Sequence, residues 1–159
     1  MAVLHRMPNA VYAIRGNYYH LDELESFKIG DRRYRLKELV HTEIHTDIGK
    51  LISTYQPGFE FDGRSGPKIV DWYVPNLGNI FERIAWLNHD GCGYATCLDF
   101  ESTNRLLRMF LRDQVGYSKI KSKLIETAVS LSKSWYGVPD ENDTWYCNLG
   151  KFNLEWNDN

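Results

Sequence analysis

Three groups of residues have the types and spacing to do chemistry. The first joins a run stiffened by proline and glycine, Pro57-Gly58-Phe59-Glu60-Phe61-Asp62-Gly63-Arg64-Ser65-Gly66-Pro67, to His89-Asp90 further on, with Cys92 and Tyr94 just beyond. A histidine beside a carboxylate can act as a general base or take a metal, and a nearby serine can be a nucleophile. In that arrangement His89 is the base, Asp62 or Asp90 orients it, and Ser65 or a water attacks. The same side chains also have a structural use: Asp62 and Ser65 accept turn amides, and His89-Asp90 tie a helix end to the loop. The second group is His41 and His45 around Glu43. On a helix the two rings would be neighbours, but the local alternation reads as a strand, which sets them about 13 Å apart on one face, too far for one metal. The third is Arg105, Arg108 and Arg112, at i, i+3 and i+7 on one helical face, either a solvated surface or one that meets an anion or an acidic partner.

The elements that must position these groups read as α+β. Val11 to Ile14 and Tyr18 to Leu21 flank Arg15-Gly16-Asn17 as a hairpin, and Phe27 to Ile29 and Tyr34 to Leu36 flank Gly30-Asp31 as another. Leu39 to His45, with Val40, Thr42, Ile44 and Thr46 on one face, turns through 47–50 into Leu51 to Tyr55, completing an N-terminal antiparallel meander. Residues 56–77 carry too many prolines and glycines for regular structure and read as a long shaped loop. Ile80, Ile84 and Leu87 then recur at helical spacing, predicting a helix from Asn79 to Asp90 that Gly91 and Gly93 end. Asp99 or Ser102 caps a second helix (Leu106, Leu107, Phe110, Leu111, Val115) before Gly116. Ser118 caps a third, whose stripe of Ile120, Leu124, Ala128, Leu131 and Trp135 is expected to face the core. A C-terminal hairpin, Thr144 to Asn148 and Phe152 to Trp156 about Leu149-Gly150-Lys151, carries Trp145, Tyr146, Phe152 and Trp156.

Length and composition fit one domain of 159 residues, with the family-like core described below at 38–137 and an acidic aromatic tail at 140–159. A net charge of −2 gives no footprint for nucleic acid or anionic membrane across the chain as a whole. Locally the balance is uneven: 102–136 is net +5 and 137–159 net −4. Three cysteines make no disulfide framework and suit a reducing compartment; Cys92 and Cys97 are too widely spaced for half of a ribbon-type zinc site, and neither a metal nor a cofactor is expected. No apolar run is long enough to span a membrane, and the first residues lack the apolar stretch of a signal peptide. The 22 aromatic residues, 14% of the chain, exceed what one core of this size needs, and the terminal hairpin, if it is not buried against its own domain, is the expected docking surface for the surplus.

The pattern Pro57-Gly58-Phe59, Asp62-Gly63, Ser65 and Pro67, followed by His89-Asp90 and Tyr94, resembles that of a family common in tailed bacteriophages, domain-of-unknown-function family 1353, over residues 38–137. Here Asn104 stands where the family usually carries an acid in the second helix, and Lys68 where it carries an arginine. A helical His-Asp with a nearby tyrosine is also similar to secreted phospholipase A2, but Asn104 cannot serve as the carboxylate that such an enzyme uses. The phage resemblance implies a virion or assembly protein that binds other phage or host proteins, found in the host cytoplasm or in the particle, where it can oligomerise. The alternatives are a small phage hydrolase built on His89 and an inhibitor of a host defence protein.

Overall fold

The computed structural model describes residues 4, 6–19, 21, 28–30, 33–62, 78–131 and 147–159. Through them run β1 (Val11–Asn17), β2 (Lys28–Gly30), β3 (Arg33–Arg35), β4 (Val40–Thr46), β5 (Gly49–Tyr55), β6 (Glu60–Asp62), α1 (Ile80–Ala95), α2 (Phe100–Phe110), α3 (Lys119–Ser130) and β7 (Phe152–Asp158). The class is α+β. Strands β1-β4-β5-β7 form one antiparallel sheet in that order, and β2-β3-β6 a smaller one.

The central pair follows directly from sequence alternation. In β4 and β5 every second residue is buried, so Val40, Thr42, Ile44 and Thr46 share the inner face with Gly49, Leu51, Ser53 and Tyr55. The register pairs Ile44 with Leu51, Thr42 with Ser53 and Val40 with Tyr55. Thr46 shapes the intervening turn, its hydroxyl donating to the Gly49 carbonyl at 2.7 Å and accepting the amides of Ile48 and Gly49. The short strands β2 and β3 also pair antiparallel near the expected positions, but each is shifted by one residue, so that Gly30 belongs to β2 opposite Arg33; Phe27 and Asp31 lie outside the described residues.

Elsewhere tertiary contact overrides the local signal. Arg15-Gly16-Asn17 is no turn, because β1 runs through it and pairs along β4 as far as Asn17 with His41. Gly16, at φ 127°, is needed for close approach: a Cβ there would sit 2.1 Å from the His41 carbonyl oxygen. The expected long loop begins with an ordered turn at Pro57-Gly58 and then strand β6, while 63–77 lie outside the described residues.

Gly91 and Gly93 do not end α1, which continues to Ala95 and stops at Thr96 in the left-handed conformation. The reason is packing. Residues Ile84 to Tyr94 are buried without a break, so α1 is the central strut rather than a surface helix. At Gly91 an added Cβ would lie 2.2 Å from the Tyr55 hydroxyl, so glycine lets the helix lie close against β5. Its N-terminus carries a complete capping box: Asn79 accepts from the Glu82 amide, Glu82 accepts from the Asn79 amide, and the second Glu82 oxygen takes the Tyr117 hydroxyl at 2.6 Å.

Asp99 caps α2, which passes into a π-helical turn at Leu111–Val115 before Gly116. That turn covers the start of edge strand β1: Asp113 accepts the Val11 amide, Gln114 donates to the Val11 carbonyl and Arg112 to the Asn9 carbonyl. Burial alone would raise the Asp113 carboxyl, but the Arg112 guanidinium and the Val11 amide hold it below its ordinary value.

The C-terminal strand is present, but its neighbour is not the expected one. β7 pairs along its full length with β5, Phe152 opposite Tyr55 and Asp158 opposite Gly49. Cys147 and Asn148 lie in a helical turn instead of a strand, and 144–146 are outside the described residues. The Asn148 side chain imitates a strand neighbour, accepting the Glu60 amide and donating to the Glu60 carbonyl, both at 2.7 Å.

Candidate functional site

The polar residues of α1 point into two contiguous buried networks. Asn88 meets the sheet: its Oδ1 accepts the hydroxyls of Ser53 at 2.7 Å and Tyr55 at 2.9 Å, and its Nδ2 donates to Thr42 and to the Ile84 carbonyl. Thr42 and Ser53 close the circuit at 2.5 Å. Every member has a partner, so the network stabilises and registers α1 on the sheet instead of leaving costly unpaired groups. Burial pushes the Tyr55 phenol well above its ordinary value. The sequence signal for this network is two hydroxyl residues, Thr42 and Ser53, on the inner face of an otherwise apolar alternation.

One helical step on, His89 turns to α2. Its Nε2 lies 2.8 Å from Asn104 Oδ1, Asn104 Nδ2 donates to Ser130 on α3, and Ser130 donates to the Glu126 carbonyl. With Asn104 Oδ1 accepting, Nε2 carries the ring proton and Nδ1 the lone pair. Nδ1 has no protein hydrogen-bond partner, and His89 and Thr103 both line a cavity of about 10 Å³, room for a single water. The other walls are mostly apolar, among them Ile44, Leu51, Leu106 and Phe110. The ring is only 8% exposed and packs edge-on to Trp86. Burial lowers its pKa, and the Asn104 hydrogen bond offsets only part of that, so folding favours the neutral imidazole.

The other sequence candidates fall as follows. Asp90 is 1% exposed, on the buried strut beside His89 and not at a helix end. Asp62 ends β6 opposite Arg33; its side chain and all of Ser65 lie outside the described residues, as do Trp145, Tyr146 and the motif residues Gly63 and Pro67. His41 and His45 are on the outer face of β4, His41 against the Thr54 hydroxyl at 2.9 Å and His45 3.9 Å from Glu43. Arg105, Arg108 and Arg112 each have their own carboxylate: Glu101 at 3.2 Å, Glu126 at 2.9 Å and Asp113 at 2.7 Å. The Arg108–Glu126 pair fastens α2 to α3. Phe152 packs edge-on to Phe59 and against Tyr94, and Trp156 donates to Asp158 at 2.8 Å. Among the described residues no three His, Cys, Asp or Glu side chains converge as a metal site would require. Nor is any described helix long and apolar enough to cross a membrane.

The clearest departure from the sequence reading is the face of α3. Ser122, Ile125, Glu126 and Val129 are buried, and of the stripe expected to face the core Ile120, Leu124 and Leu131 are turned outward, Ala128 still packs against the core, and Trp135 lies outside the described residues. Ile120 is 76% exposed, Leu124 50% and Leu131 73%. At 100° per residue these three fall within about 40° of arc and extend along about 16 Å of helix. Lys121 and Lys123 flank the line, the first over the Tyr117 ring at 3.9 Å and the second on Glu126 at 2.9 Å. On the inner side Arg108 is ion-paired with Glu126, and the Ser122 hydroxyl bonds back to the Ser118 and Lys119 carbonyls, which accommodates polar side chains in this orientation. No family model, curated protein or solved structure matches the chain.

Proposed function

We propose that this chain is a bacteriophage-encoded protein that works by binding other proteins, as a minor virion or assembly component. The observation that carries the binding role is the outward line of Ile120, Leu124 and Leu131 on α3. Large aliphatic side chains aligned on one open helix face, with cationic side chains at the margin, match the apolar centre and polar rim of a protein interface. The partner surface has an apolar groove bordered by carboxylates, which Lys121 and Lys123 would meet. The phage assignment rests on the resemblance carried by Pro57, Gly58, Phe59, Asp62, His89, Asp90 and Tyr94. A small hydrolase using His89 is less well supported: the ring is buried, its partner Asn104 is a neutral amide, and the cavity beside it has room for a water but not a substrate.

Mass spectrometry of purified particles, beside affinity capture from infected cells, tests the reading. The chain is expected in the particle or in a stable complex with another phage protein. The double variant Ile120→Lys/Leu124→Lys is expected to fold with a stability change within about 0.5 kcal/mol, as for exposed sites, and to lose the partner. Absence from particles and from every complex, or unchanged capture by the variant, would overturn it.

A further inference from the structure

We propose that Cys92 and Cys97 form a reactive dithiol that a small hydroperoxide converts into an intramolecular disulfide. The two thiols are reduced, and their Sγ atoms stand 3.9 Å apart, the Cys97 thiol donating to the Cys92 sulfur. Their closeness is a product of the helix end. Had α1 stopped before Cys92, both would be loop residues with nothing to bring them together; instead Cys92 lies in the last turn and the chain reverses at Thr96. Thr96 sits at φ 49°, ψ 33°, a conformation that a β-branched residue adopts only under strain, and its amide bonds back to the Cys92 carbonyl at 2.8 Å. That reversal folds Cys97 over Cys92.

The two sulfurs are unequal in the way such chemistry needs. Cys92 is 1% exposed, whereas Cys97 is partly open to solvent. The Cys92 hydrogen bond, helped by the main-chain amides of Cys97 and Leu98, lowers the Cys97 thiol below its ordinary value in spite of burial. The same hydrogen bond, with burial, raises Cys92. Cys97 is therefore the attacking thiolate and Cys92 the resolving thiol. A small neutral oxidant suits a sulfur that is only partly accessible.

In the first step the Cys97 thiolate attacks the terminal oxygen of ROOH. The O–O bond breaks, RO⁻ leaves and takes a proton from solvent, and Cys97 becomes a sulfenic acid. In the second, Cys92 sulfur attacks the Cys97 sulfur; hydroxide leaves and takes the Cys92 proton as water. Overall two thiols and ROOH give one disulfide, ROH and H2O, with two electrons passing from sulfur to the peroxide. Closure brings the sulfurs from 3.9 Å to about 2.05 Å, and the strained Thr96 link is where the backbone yields.

Full-length protein is treated with hydrogen peroxide without reductant, digested with chymotrypsin and weighed. Cleavage after Tyr94 separates the two cysteines, so the expected product is a pair of fragments still joined, lighter by two hydrogens and parted by reductant. In Cys92→Ala, dimedone is expected to trap a sulfenic acid at Cys97; in Cys97→Ala, Cys92 is expected to stay a thiol. Cys147→Ser is expected to leave the joined product unchanged. Fragments that separate without reductant, a bond from either cysteine to Cys147, or oxidation of Cys92 ahead of Cys97 would each overturn the proposal.

Discussion

Replacing Gly91 by alanine sets two effects of opposite sign against each other. In a helix interior the change ordinarily stabilises by about 1 kcal/mol, because glycine loses more backbone freedom on folding. Here the new Cβ would lie 2.2 Å from the Tyr55 hydroxyl and 2.8 Å from two of its ring carbons, well inside van der Waals contact. Tyr55 has nowhere to go: it is fully buried, its hydroxyl is held by Asn88 at 2.9 Å, and its ring rests on Phe59 at a centroid distance of 4.7 Å. Relief requires α1 to lift from β5 or Tyr55 to leave Asn88. Overpacking costs about 1–3 kcal/mol and breaking a buried hydrogen bond about 1–3 kcal/mol more. The net expectation is a loss of about 1–5 kcal/mol. Urea denaturation followed by tryptophan fluorescence reads this as a midpoint lower by about 1–3 M for a mid-range loss, at slopes usual for small domains. Tyr55→Phe removes the closest atom, so in that background the Gly91→Ala penalty is expected to fall by about 1–2 kcal/mol. A Gly91→Ala protein as stable as the wild type, or a penalty indifferent to the Tyr55 hydroxyl, would refute the packing argument.

His89 sets a second expectation. Its folded pKa lies below the ordinary 6.5, so below pH 6.5 the unfolded chain binds the extra proton more readily. Stability is therefore full above pH 6.5 and falls as the pH drops toward the folded pKa, by no more than about 1.4 kcal/mol per unit from this group. Denaturant titrations across pH 5–8 should show this component vanish in His89→Gln. At the other end of the chain, Asn148→Ala removes both 2.7 Å hydrogen bonds to the Glu60 main chain, and a loss of about 2–5 kcal/mol is expected in the same denaturation assay.

Where a local rule and the packing agree, the sequence is a sufficient guide. The alternation of β4 and β5 predicts the inner face residue by residue, and Asn79, Asp99 and Ser118 mark helix starts because capping is decided within a few residues. Glycine is ambiguous locally. Gly16 and Gly91 look like punctuation, yet both serve as contact points where main chain or a tyrosine comes too near for a side chain. The α3 stripe misleads for a related reason: periodicity shows that an apolar face exists but not which way it turns, and the inner side here accommodates the Arg108–Glu126 pair. The site is half legible. Asn104 stands out as a departure from an acidic position, and the structure brings it to His89. The Cys92–Cys97 contact depends on where α1 ends, five residues later than the glycines suggest.

The pairing of β5 with β7 also fixes an order of events during synthesis. Tyr55 emerges about a hundred residues before Phe152, its partner across the ladder. At roughly 5–20 residues per second, β5 waits on the order of 5–20 seconds with one edge unsatisfied while the helices are still being made. An open edge of this kind can recruit a strand from a neighbouring nascent chain. Polysome crowding and expression rate should therefore affect the yield of folded protein through this one strand, even when the finished molecule is stable.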